Sequence, residues 1–130
     1  MTLIESKGTL HYEDRKLVCM VDPQLARFYK SLIPKYYNVA GQRYPPHISV
    51  VRKEVPPLMH LWGAREGQRV SFLYDPDIQN DAVYWWLNVF SSQLEAIRTE
   101  LGLPLSSPYT RPPSGFLKCF HTTLGNQKSL

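Results

Sequence analysis

Two short stretches of this chain set a hydroxyl two residues after a histidine. One is His47-Ile48-Ser49, within the run Pro45 to Val51; the other is His121-Thr122-Thr123, within Phe120 to Leu124. Both runs are apolar and β-branched enough to read as strands. Residues i and i+2 of a strand project from one face, so His47 shares a side with Ser49 and His121 with Thr123, while Ile48 and Val50 turn toward core. An imidazole beside a hydroxyl places a proton-transfer group next to a hydrogen-bond donor. Two such pairs facing one another supply a base, an acid and two donors to an oxyanion, a set suited to phosphodiester transfer without a metal. The remaining histidines, His11 and His60, have no hydroxyl at that spacing.

Other chemistries find less support. No histidines stand at the i, i+2 or i, i+4 spacing of metal motifs, so no metal and no other cofactor is expected. Cys19 and Cys119 lie in apolar runs outside any C-x-x-C pair and read as buried, reduced thiols. No glycine-rich phosphate loop precedes a helix, which removes the sequence basis for nucleoside triphosphate hydrolysis. At 130 residues the chain is expected to form one domain, 1–130, and its 43% hydrophobic and 20% charged composition is that of a globular protein. There is no apolar run of membrane-spanning length, and Met1 to Lys7 lacks the pattern of a signal peptide or lipidation site, so a cytoplasmic location without membrane association is expected. The net charge of +4 favours an anionic partner.

The elements that must position the two histidines are legible in part. Gly8 to Glu13 and Lys16 to Val21 flank Glu13-Asp14-Arg15 as a hairpin. Asp22 caps a helix that Pro23 begins and Pro34 stops, with Leu25, Phe28, Tyr29 and Leu32 on its apolar face. Val70 to Tyr74 and Val83 to Phe90 are further strands. In the latter, Val83, Trp85, Leu87 and Val89 form a core face, while Tyr84, Trp86, Asn88 and Phe90 form a mixed face fit to line a groove. Ser92 and Glu95 make a capping box for a second helix, with Leu94, Ile97 and Leu101 inward and Gly102 at its end. The loop Pro104 to Gly115 then leads to the His121 strand. Strand, capped helix, loop and His-x-hydroxyl strand thus occur twice, which predicts an internal duplication. The expected fold is α+β: two pseudo-symmetric β-α-β lobes forming a concave sheet with helices on its outer face.

Flat aromatic rings bind nucleobases by stacking. Tyr12, Trp86 and Tyr109 are the candidate platforms, with Tyr84 behind them. Lys53 continues the face of His47 and Ser49 and is the first candidate to meet phosphate, followed by Arg52, Arg111 and Lys118.

The two segments His47-Ile48-Ser49-Val50 and His121-Thr122-Thr123-Leu124 resemble the paired H-x-[ST]-x signature of the 2H phosphoesterase superfamily, departing from it at Thr122, where an apolar residue is usual. The combination of YPPHISVVRKEV, VYWWLNVF, SSPY and KCFHTTLGN looks like the small phage enzymes that degrade the cyclic oligonucleotide signals of bacterial CBASS immunity. What the resemblance implies is metal-independent cleavage of 3′–5′ phosphodiester bonds by the ribose 2′-hydroxyl. His47 and His121 would act as base and acid in an order left open, and Ser49 and Thr123 would steady the phosphate oxygens. The implied substrate is a cyclic di- or trinucleotide met in a host cytoplasm, with short RNA as the alternative and no obligate protein partner. Two other readings compete: an enzyme acting on 2′,3′-cyclic phosphate ends of RNA, and a non-catalytic RNA-binding module.

Overall fold

Alternating apolar residues make strand the chief regular structure of this chain. The computed structural model describes residues 2–107 and 110–128. In chain order its elements are β1 (Ile4–Glu13), β2 (Lys16–Met20), α1 (Pro23–Ser31), β3 (Ala40–Gly41), β4 (His47–Val51), β5 (Arg69–Tyr74), β6 (Gln79–Asn80), β7 (Tyr84–Phe90), α2 (Ser92–Glu100) and β8 (Phe120–Asn126). Six of the strands pair antiparallel around a ring, β4-β2-β1-β5-β7-β8, and β8 closes it by pairing with β4. The two-residue strands are side additions, β3 on β8 and β6 on β7.

This closed six-stranded antiparallel barrel overturns the expected two β-α-β lobes on a concave sheet. The reason is that β8 bonds to strands on both sides: it pairs with β7 from Phe120 to Asn126 and with β4 through Ile48 and Thr122. Closure satisfies backbone groups that an open sheet would leave at its edges. The order strand, strand, helix, strand does occur twice, yet the two three-stranded sets join at both margins, β1 to β5 and β4 to β8, and so close one ring. The helices do not cover an outer sheet face. Antiparallel neighbours alternate in direction around the ring, so β2 and β7, the strands that α1 and α2 follow, run in opposite directions.

The interior is filled by side chains. Leu10, Leu17, Ile48, Val50, Val51, Phe72, Leu87, Val89 and Phe120 pack with Trp85 and with residues of both helices. Cys19 belongs to this core, where burial pushes its thiol up to about 12, and Cys119 is a second free thiol. Asp22 caps α1 as expected, its Oδ1 accepting from Gln24 N at 2.9 Å. The inward face of α1 keeps Leu25 and Tyr29 of the expected set but not Phe28 and Leu32. Ala26 and Tyr29 are buried, with Ile33 beyond the helix end, and Tyr29 Oη donates to Tyr74 Oη at 3.2 Å; Phe28 and Leu32 are 57% and 55% exposed. A helix of only nine residues presents a narrow buried stripe, and Phe28 and Leu32 fall outside it. The cap of α2 is Ser91, one residue earlier than expected, with Oγ accepting from Leu94 N at 3.2 Å. Among the described residues no helix is long and apolar enough to cross a membrane.

Thr122 is the polar exception inside the wall. It lies opposite Leu87 and Ile48, is 1% exposed, and its Oγ1 has no hydrogen-bond partner among the described residues. A buried unpaired hydroxyl carries its desolvation cost uncompensated. Thr122→Val is therefore expected to stabilise the protein by about 1 kcal/mol, read as a higher urea midpoint at unchanged m.

Candidate active site

The middle residues of the two motifs, Ile48 and Thr122, are the pair that joins β4 to β8. Both are buried. Because side chains alternate, their neighbours His47, Ser49, His121 and Thr123 turn outward, and each of these is half-buried or exposed. The antiparallel register then sets His47 opposite Thr123 and Ser49 opposite His121. Each imidazole therefore shares a face with the other motif's hydroxyl on the neighbouring strand. All four catalytic candidates thus meet on one patch of the outer barrel wall.

The two rings have different surroundings. His47 Nδ1 lies 3.0 Å from the Pro45 carbonyl oxygen. A carbonyl only accepts, so Nδ1 carries the proton of that bond and Nε2 is left as the nitrogen that exchanges a proton with a ligand. His121 is held below the ordinary imidazole range. Desolvation is the main cause, although part of its surface remains open to solvent, and the positive charges of His47, Arg52 and Lys118 add to it. Folding therefore disfavours the proton on His121. Its contribution to stability is intact above about pH 6.5, the ordinary midpoint, and is lost as pH falls through the lower folded value. Since His47 is one of the causes, His47→Gln is expected to raise the His121 midpoint. A proton NMR titration of the His121 ring reads this directly, and an unmoved midpoint would show that the two rings do not sense each other.

The strand β7 completes the patch. Its alternation places Trp85, Leu87 and Val89 in the core and leaves Trp86 and Asn88 outward, opposite Thr123 and His121 respectively. The Trp86 ring meets the His121 ring edge to face, with centroids 6.4 Å apart, and its Nε1 donates to Asn88 Oδ1 at 3.0 Å. Trp86 is thus where a base platform beside the histidines would have to be. Asn88 was visible only as the one amide on the mixed face of its strand, and it sits closest in register to His121.

Other candidates are not brought here. Tyr12 follows Leu10 on the inward face of β1, where it packs against the core and meets Trp62 edge-on at 5.0 Å. Lys53 leaves the line of β4: Val51 is already in the core, and Lys53 adopts a left-handed backbone with φ of 58°. It lines a separate cavity with Arg15, Met59 and Trp62. Arg52 and Lys118 are the cations whose charge reaches His121. Tyr84 is on the outward face beyond Trp86, its ring 4.9 Å from Lys128 Nζ. Arg111 makes no ion pair among the described residues. Tyr109 lies outside the described residues.

Helix α2 ties down segments that adjoin the two histidine strands. Arg98 is 3% exposed and donates to the Val50 and Pro104 carbonyls, each at 2.8 Å, and to both carboxylate oxygens of Glu54 at 2.8 Å. Glu95, expected to close a capping box, instead accepts from Leu117 N at 2.9 Å and Lys118 N at 3.0 Å. One helix thereby holds the end of β4, the start of the Pro104 loop and the approach to β8. Sequence pattern gave no sign of this, because neither residue has its partners nearby in the chain.

No three His, Cys, Asp or Glu side chains among the described residues are grouped to hold a metal ion. Comparison with protein-family models, with curated proteins and with solved structures found no match.

Proposed function

We propose that this protein is a phosphodiesterase that cleaves 3′–5′ bonds of ribonucleotides by attack of the adjacent 2′-hydroxyl, with cyclic di- or trinucleotides as its substrate class. The observation that carries the reading is the β4–β8 register, which sets two imidazoles and two hydroxyls on one outward patch. His121, whose proton is disfavoured by desolvation and by the nearby positive charges, takes the 2′-hydroxyl proton. The O2′–P bond forms and the P–O5′ bond breaks. His47, with Nδ1 committed to Pro45, returns a proton from Nε2 to the departing 5′-oxygen. Ser49 and Thr123 donate to the non-bridging oxygens, where charge grows in the pentacoordinate state. Trp86 offers a stacking surface to a neighbouring base. The products are a 2′,3′-cyclic phosphate and a free 5′-hydroxyl, with all atoms and protons accounted for.

A panel of cyclic di- and trinucleotides beside linear RNA and RNA ending in 2′,3′-cyclic phosphate, incubated in EDTA, tests both reaction and substrate class. Cleavage of the cyclic substrates to the named products is expected. Turnover confined to RNA ends would move the substrate class. Binding without cleavage of any member would point to an RNA-binding module.

A further inference from the structure

We propose that Asn88 is a catalytic residue of this site, its side-chain amide donating to a non-bridging oxygen of the phosphate from the β7 side; the inference rests on the phosphodiesterase reading above. Asn88 is 9% exposed and stands opposite His121 in the β7–β8 register. The orientation of its amide is fixed by chemistry. Trp86 Nε1–H can only donate, so the group 3.0 Å from it is Oδ1, and Nδ2 is the end left over. That NH2 group has no hydrogen-bond partner among the described residues, yet it is not among the fully enclosed unpaired atoms, of which Thr122 Oγ1 is the single described case. A nearly buried amide with no partner among the described residues, opposite a proton-transfer histidine in the register, is placed for an incoming acceptor.

The chemistry of that acceptor follows from its neighbours. Arg52 and Lys118 bias the same ring with positive charge, and Ser49 and Thr123 add hydroxyl donors. An anion with several acceptor oxygens, such as a phosphate, satisfies this set. The donors then form an arc from β4 through β8 to β7, so the scissile phosphate sits toward His121, and the base beside it falls over Trp86. Trp86 holds Oδ1 before any ligand arrives, and a donor oriented in advance costs no reorganisation when charge develops.

The test is an NMR titration of the unaltered protein with inorganic phosphate, following the Asn88 side-chain NH2 signals, assigned by their loss in Asn88→Asp, together with the His121 ring. Both should shift along one saturation curve. A His121 signal that moves while the Asn88 amide stays still would overturn the proposal and leave the phosphodiesterase reading standing. If neither moves at tens of millimolar phosphate, both fail. In kinetics on a cleavable substrate, Asn88→Ala should lower kcat by about 10²–10³-fold, as loss of one oxyanion donor does. An effect on KM alone, at unchanged kcat, would mean that Asn88 only holds Trp86 for stacking.

Discussion

Replacing His121 by alanine is expected to lower the rate of phosphodiester cleavage by about 10²–10⁴-fold, and His47→Ala to do the same, since each removes one positioned proton-transfer group. The two losses should not multiply. Base and acid act on one phosphate in one step, so the double variant should be little worse than either single one. The intact enzyme should show a bell-shaped dependence of kcat/KM on pH. Its acid limb belongs to His121 and lies below the ordinary imidazole midpoint, because desolvation and the charges of His47, Arg52 and Lys118 hold the ring neutral there. A profile flat from pH 5 to 9, with chemistry limiting the rate, would remove this pair from the mechanism.

The largest stability effect is expected at Arg98. Arg98→Ala leaves the Val50 and Pro104 carbonyls without their donor and Glu54 without its partner. Removing one member of a buried pair costs about 3–5 kcal/mol, but Glu54 is 34% exposed and recovers part of this from water, so about 2–3 kcal/mol is expected here. Glu54→Gln should cost much less, because the guanidinium keeps both carbonyls. Urea unfolding of the two variants measures the difference. Equal losses would show that the carboxylate, not the pair of carbonyls, is what Arg98 serves.

Arg98 also marks where sequence pattern stopped being informative. Period-two alternation gave the core face of β7 and the half-buried positions of Tyr84 and Trp86, but not Phe90, which was expected on the mixed face and is buried against Phe116; the outward direction of both His-x-hydroxyl pairs followed from strand geometry alone. Barrel closure was not legible. It turns on one residue pair, Ile48 with Thr122, between strands far apart in the chain, and nothing local to either specifies the other. Lys53 was expected to extend the face of β4, but the register slips beside Leu17 and Val18, Val51 turns inward, and the chain leaves the strand through a left-handed residue. Glu95 had the spacing of a capping residue, and its carboxylate found two loop amides instead. In each case a tertiary partner, invisible to a local pattern, decided the outcome.

The central claim, that the substrate's own 2′-hydroxyl is the nucleophile beside His47 and His121, is tested most directly by comparing a cyclic diribonucleotide with its 2′-deoxy counterpart in EDTA. The substitution removes the attacking atom and leaves bases and phosphates in place. The ribonucleotide should give a 2′,3′-cyclic phosphate with a free 5′-hydroxyl as its first product, while the deoxy compound binds and stays intact. Cutting of the deoxy compound at a comparable rate, to a linear phosphate, would contradict the mechanism even if both histidines proved essential.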